Sequence, residues 1–305
     1  MNTIVEARQL SKWFGEAVAV NNLDLTIGPG ITGLLGPNGA GKTTFIKLAL
    51  GLYRPSRGRI LVFGEEPRNN PRVLGRVGNS PDTDNLPGSM TGYEFLYWMN
   101  RLWGMTAREA KRAAERVCGT VGMTERMHDL IGEYSLGMRQ RIKIGQALAA
   151  EPDLLFLDEP MSGLDPKGRE EMFALIRSLG ETGRSVIVSS HVLHEVERVT
   201  SEVVVLHNGR ILAQGPVQHI RELIEEHPRT VTVECASPRW LAARFLGDVS
   251  TLRVTVNEGA FTAETTDLDG FCGKLNDLVV RQRAKITGIR CVDENLQSVF
   301  DYLVK

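Results

Sequence analysis

Residues 36–44 read GPNGAGKTT, which fits the spacing G-x-x-x-x-G-K-[ST]. Glycines at 36, 39 and 41 let a backbone turn tightly and bring successive N–H groups toward one point. The apolar run ITGLLG ends at this loop, and TFIKLALGL follows it with helical spacing that stops near Gly51. The segment therefore predicts strand, loop and helix. A helix N-terminus aims unpaired N–H groups and the positive end of its dipole at the loop, which suits an anion. The candidate phosphate contacts are Gly36, Pro37, Asn38, Gly39, Ala40, Gly41, Lys42, Thr43 and Thr44. Lys42 would bridge the β and γ phosphates of a nucleoside triphosphate, and Thr43 would ligate Mg²⁺.

A strand that feeds such a loop and helix belongs to an α/β layering, and later segments extend it. LLFLD (154–158), SVIVSS (185–190) and EVVVLHNGR (202–210) are short apolar runs separated by helical patterns, as in a largely parallel sheet covered on both faces. The first run delivers Asp158 to a strand end, suited to the Mg²⁺ shell. Glu159 follows, placed to polarise an attacking water. Upstream, VEARQLSKWF and AVAVNNLDLTIG alternate around Gly15 and Asn21-Asn22, predicting antiparallel strands with turns at those residues, and GRILVFGE predicts another strand. Residues 66–88 read mainly as loop. From about 89 to 150 the pattern is helical, with a capping box at Thr106 and Glu109, and the aromatic stripe Tyr93, Phe95, Tyr97, Trp98 and Trp103 is expected mainly in the core of a helical subdomain, a docking face being the alternative.

After IRELIEEHPRT the texture changes. TVTVEC, WLAARFLG, a hairpin turning at Asn257-Glu258-Gly259, FCGKLNDLVVRQ and ITGIRCVD give β-α-β-β-α-β, the split ferredoxin-like order, with LQSVFDYLV as an extra helix. With 305 residues, 42% of them hydrophobic, the chain can fill two cores. We place the boundary near Pro228, giving domains 1–228 and 229–305.

Lys plus Arg number 36 against 37 Asp plus Glu, a formal net charge of -1. Without a global positive field, no nucleic-acid partner is expected. Cys118, Cys235, Cys272 and Cys291 are scattered and read as buried thiols in a cytosolic protein. The segment MNTIVEARQL lacks the pattern of a secretory signal, and no apolar run approaches the ~18 residues of a membrane-spanning helix. Work at a membrane would need a second polypeptide.

The stretch YSLGMRQRIKIGQALAAEPDLLFLDEPMSGLDP (134–166) resembles the signature motif, Walker B strand and D-loop of ATP-binding cassette (ABC) ATPases, and SSHVLHEVE (189–197) resembles their switch-histidine loop. The resemblance spans about residues 4–225 in the family's motif order. It implies a P-loop NTPase fold of the ABC type, with a mixed sheet, an antiparallel β subdomain and a helical subdomain, followed here by the small α+β domain. It further implies ATP and Mg²⁺ as cofactors, with Phe14 stacking on adenine and His191 touching the γ phosphate. Ser135 and Gly137 would contact ATP bound to a second subunit, and Asp165 would lie across that interface. Two departures stand out: Leu136 replaces the first glycine of the usual leucine-serine-glycine-glycine-glutamine, and Asp82 is the best match to the family's loop glutamine, here a water-mediated contact to Mg²⁺.

One cassette without a membrane span resembles the separate ATPase subunit of a transporter, and ENLQSVFDYLV (294–304) is similar to the ending of cassettes that serve ABC-2-type exporters. The resemblance implies hydrolysis of ATP by a cassette dimer, expected as a homodimer, that drives an integral membrane permease from the cytoplasmic face. Residues 229–305 are expected to be an accessory or regulatory extension. The competing expectations are a soluble ABC ATPase of DNA repair or translation, and an ATP-binding regulator with weak hydrolysis. His191 and His194, three residues apart, lack a third nearby ligand candidate and are not expected to hold metal.

Overall fold

Alternating apolar and polar residues at the N-terminus produce the first sheet of the computed structural model, which describes residues 3–218, 229–282 and 284–291. Strands β1 (Val5–Phe14), β2 (Ala17–Ile27) and β4 (Arg57–Val62) pair antiparallel in the order β2-β1-β4. Gly15 makes the expected turn. Asn21-Asn22 does not: Asn22 has φ 52° and lies in a bulge within β2, its N–H donating to Ser11 Oγ at 2.9 Å.

The second sheet has the order β5-β6-β7-β3-β8-β9, built from β3 (Ile31–Leu35), β5 (Val77–Ser80), β6 (Leu154–Leu157), β7 (Ser185–Ser190), β8 (Glu202–His207) and β9 (Arg210–Pro216). Its strands run parallel except β9, which returns antiparallel on β8 as an edge the sequence reading left out. Burial on both faces explains the continuous apolar runs. Leu154 and Phe156 of β6 enter a core shared with the antiparallel sheet and α1 (Lys42–Ala49), while Leu155 and Leu157 enter a core shared with the helices on the other face. Each fully buried side chain of this kind contributes about 1.5–3 kcal/mol.

Those helices are α3 (Gly92–Leu102), α4 (Ala107–Thr120), α5 (Leu136–Ala147) and α6 (Pro166–Glu181). The Thr106–Glu109 capping box forms as expected, and Thr91–Glu94 makes a second at α3. A short helix, α2 (Pro71–Leu74), capped by Asn70, and strand β5 both lie within the stretch read mainly as loop. The aromatic stripe divides: Phe95 is buried, but Trp98 is 51% and Trp103 48% exposed, so these two do not belong to the core. Helix α7 (Leu193–Glu197) follows β7.

By internal packing the chain divides into Met1–Val217 and Gln218–Lys305. The second unit pairs β10 (Arg229–Cys235), β11 (Thr251–Asn257), β12 (Ala260–Thr265) and β13 (Ile286–Cys291) antiparallel in the order β11-β12-β10-β13, with α8 (Pro238–Ala242) and α9 (Leu268–Gln282), which is the ferredoxin-like arrangement. Phe245, Phe261 and Phe271 are clustered in its core. The boundary residue Pro228 and the helix expected over LQSVFDYLV lie outside the described residues.

The cysteines correct a uniform reading: Cys118 and Cys235 are buried, Cys291 is partly buried and Cys272 is exposed. Burial pushes the Cys118 thiol up to about 11, so little thiolate exists there at neutral pH. Alkylation of the native protein at pH 8 is expected to modify Cys272 first and leave Cys118 intact, as read by peptide mass spectrometry; prompt labelling of Cys118 would show that the helical core opens.

Candidate active site

The phosphate loop bridges β3 and α1. Gly41, the N-cap of α1, has φ 104°, and a Cβ there would meet Ala19 O at 2.5 Å, so this residue type is dictated by both backbone and neighbour. It offers no side chain to cap the first-turn N–H groups, which suits an anion at that end. Asn38 and Gly39 are exposed in the loop, while Gly36 and Ala40 are buried at its base. Lys42 is 6% exposed, and its Nζ donates to Gly36 O at 2.6 Å and Pro37 O at 3.3 Å. Thr43, on the next position of the helix, donates from Oγ1 to Asp158 Oδ2 at 2.9 Å, and Thr44 lies half-buried beside it.

Strand β6 ends by presenting Asp158 and Glu159 to this loop. Asp158 is buried, and Ser189 Oγ donates to its Oδ1 at 2.6 Å. Burial pushes its carboxyl above the usual range, against the hydrogen bonds from Ser189 and Thr43; the charges of Asp82 and Glu159 add to the upward push. Glu159 has φ 48°, a left-handed conformation rare for a side-chain-bearing residue. Its N–H donates to Ser189 Oγ at 2.9 Å. Oε1 lies 3.1 Å from Lys42 Nζ, an ion pair aligned too poorly to be a hydrogen bond, and Oε2 lies 2.9 Å from His191 Nδ1. Lys42, Thr43, Asp158, Glu159 and His191 thus converge. Ser189, which joins the two carboxylates, was missed; its only sequence signal is its place two residues before His191.

Ser135, Gly137 and Asp165 gather elsewhere. Ser135 caps α5, accepting from Met138 N–H at 3.3 Å, and Asp165 caps α6, accepting from Gly168 N–H at 3.1 Å. Together with Leu136, Arg141 and Gly163 they line a cleft of about 420 Å³ whose walls include no residue of the phosphate loop and none of Asp158, Glu159 and His191. Leu136 is partly buried against the helical core. Gly163 has φ 74°, and a Cβ on it would meet Leu136 Cδ2 at 2.8 Å. The substituted leucine is therefore packed between the α5 start and the loop before α6.

Phe14 ends β1 with 44% exposure, its ring 5.2 Å edge-on from Tyr53 and 5.0 Å from Lys12 Nζ. Asp82 is exposed in the loop after β5, and its charge is felt at Asp158. Two further residues escaped the sequence reading. Lys143 of α5 is only 3% exposed and donates to Asp82 O at 2.9 Å; burial pushes its ammonium down, while Asp82, Asp84 and Asp158 push it up. Arg139 donates to Asp84 Oδ2 at 2.7 Å and to Tyr134 O at 2.7 Å. A helical pattern with a lysine facing inward carries no signal of what it meets.

The family model described as ABC transporter matches residues 20–162. Bacitracin transport ATP-binding protein BcrA of Enterococcus faecalis is 33% identical over 308 residues, covering 100% of this chain and 97% of that protein. Nod factor export ATP-binding protein I of Burkholderia lata is 34% identical over 304 residues, covering 97% of this chain and 95% of that protein. A solved ATP binding subunit of an ABC transporter superposes with a TM-score of 0.64 at 29% identity, over 72% of this chain and 92% of the other. The chain therefore belongs to the ABC transporter family, as an ATP-binding subunit that hydrolyses ATP.

Proposed function

We propose that this subunit closes on a second copy of itself, head to tail, around ATP, and that hydrolysis reopens the pair to move a separate membrane permease. The observation that carries the reading is the division of the site: the phosphate loop with its carboxylates forms one half, and the cleft of Ser135, Gly137 and Asp165 forms another on the same chain. Two copies related by a two-fold axis would complete each half with the other.

In each composite site the loop and Lys42 hold the β and γ phosphates, and Phe14 stacks on adenine. Thr43 and Asp158 offer two hard oxygen donors 2.9 Å apart, one of them a buried carboxylate that burial leaves short of compensating charge, which fits a small divalent cation. Asp82 would join through water. Magnesium, when bound, supplies positive charge against the β and γ phosphate oxygens. Glu159 accepts the proton of the attacking water, and His191 fixes the carboxylate through Oε2 while facing the γ phosphate. Ser135 and Gly137 of the partner subunit, at the start of α5, meet that phosphate from the other side.

Among the described residues no helix is long and apolar enough to cross a membrane; in this reading the membrane-spanning part is a separate permease, with this subunit at its cytoplasmic face. The exposed Trp98 of α3 and Trp103 just after it support a docking surface on the helical region. The Nod factor export protein among the relatives supports outward transport. Domain 229–305 acts as an accessory extension that stabilises the dimer.

Complementation tests the head-to-tail pairing. Lys42→Ala and Ser135→Arg proteins are each expected to lose ATP hydrolysis, and an equimolar mixture to recover about a quarter of wild-type activity. Half of the dimers would then be mixed, each with one intact composite site. A mixture as inactive as its components, with both proteins folded, would rule out this pairing.

A further inference from the structure

Lys143 buries a charge inside α5, which is costly unless its partners are worth the desolvation. Its one hydrogen bond among the described contacts goes to the carbonyl of Asp82, the residue whose carboxylate faces the cation site in the reading above. Arg139 lies four residues earlier, so both cations rise from one face of the helix. That face meets a single short loop, with Arg139 Nε held to Asp84 Oδ2 at 2.7 Å and Lys143 Nζ to Asp82 O at 2.9 Å. The loop is also fastened at its other end, where Asp158 N–H donates to Ser80 O at 2.9 Å. Arg139 in turn donates to Tyr134 O, immediately before Ser135.

We propose that Lys143, with Arg139 one turn before it, is a positioning residue that locks the Asp82 loop to the helix beginning at Ser135, so that the cation side of one ATP site and the phosphate-contacting serine of the neighbouring site move together. The inference rests on the roles proposed for Asp82 and Ser135. It also explains how a side chain as short as aspartate serves in that loop: the carboxylate reaches the cation only if its backbone stands close, and Lys143 grips that backbone at Asp82's own carbonyl. Eight residues separate Ser135 from Lys143, about 12 Å of helix, so α5 acts as a rigid rod between the two contacts.

The test uses the full chain with Lys143→Met, which keeps an unbranched side chain one atom shorter and removes its charge, and Lys143→Arg, which keeps the charge. Two readouts separate positioning from mere folding: the Mg²⁺ concentration that half-saturates ATP hydrolysis, and amide hydrogen exchange across residues 81–86 without nucleotide. Lys143→Met is expected to exchange those amides about tenfold faster while β6 and α1 stay protected, to raise the half-saturating Mg²⁺ about fivefold and to lower kcat about tenfold, with the KM for ATP at saturating Mg²⁺ within about twofold. Lys143→Arg should restore most of each. Unchanged exchange and Mg²⁺ dependence in a folded Lys143→Met protein, or no restoration by arginine, would overturn the proposal. Should Lys143→Met fail to fold, the exposed Asp84→Asn decides: a smaller shift in the same direction supports the lock, and wild-type behaviour overturns it. Glu159→Gln run in parallel keeps the two readings apart, because its turnover reports on the proposed chemistry whatever Lys143 does.

Discussion

Glu159→Gln is expected to lower steady-state ATP hydrolysis by at least about a hundredfold while ATP still drives the protein into dimers. The amide preserves the shape of the side chain and its approach to Lys42 and His191, now at 3.1 and 2.9 Å, but it cannot take a proton from water. Loss of a positioned general base costs about 10²–10⁴ in rate. A phosphate-release assay and size-exclusion chromatography with light scattering, each with ATP and Mg²⁺, measure the two halves of this expectation. Turnover at the wild-type rate would remove Glu159 from the chemistry. Loss of both turnover and dimers would recast it as a residue that builds the loop, a role its left-handed backbone at φ 48° would then explain.

Asp158→Asn should separate stability from function. Burial holds this carboxyl above its ordinary range, so the folded protein binds that proton more tightly than the unfolded chain does. The corresponding stability is fully present below the unfolded pKa and is lost as pH rises through the folded value. At high pH the desolvation of this carboxylate therefore counts against the folded state, and asparagine removes that cost while its amide and the rotatable hydroxyls of Thr43 and Ser189 retain hydrogen bonds. We expect Asp158→Asn to raise Tm at pH 8 with chelator by about 2–4 °C, the shift for about 1 kcal/mol in a domain of this size, and to have a much smaller effect near pH 4. Hydrolysis with Mg²⁺ should fall at least about a hundredfold through loss of a metal-side carboxylate. A lower Tm at pH 8 would mean that the hydrogen bonds outweigh the desolvation of the charge.

How much of this was legible follows from the range of each signal. The phosphate loop, its strand and its helix were readable because backbone geometry demands glycine at positions such as Gly41, and the buried strands were readable because two apolar faces leave an unbroken run such as LLFL. The β-α-β-β-α-β order of residues 229–291 followed from local alternation and one turn at Asn257-Glu258-Gly259. Contacts made at a distance were not legible. Trp98 and Trp103 carry a hydrophobic pattern without saying which side of α3 is covered. Lys143 looks like any helical lysine until the fold brings the Asp82 loop across it. Asn21-Asn22 has the composition of a turn, but its longer-range pairing with β1 keeps it inside a strand. Leu136 could be read only as a departure from the signature, because its packing partner Gly163 arrives 27 residues later.

The placement of β3 has a consequence for how the chain is made. The strand that carries the phosphate loop is complete by residue 35, yet its two neighbours in the sheet are β7 and β8, whose last residues are Ser190 and His207. At a synthesis rate of about 5–20 residues per second, a nascent β3 waits roughly 10 seconds or more with both hydrogen-bonding edges unpaired. During that interval it is a candidate for capture by chaperones or by another nascent copy. The loop after β3 is thus among the earliest parts of this protein to be synthesised, while the strand that holds it gains both neighbours only after most of the first unit has emerged.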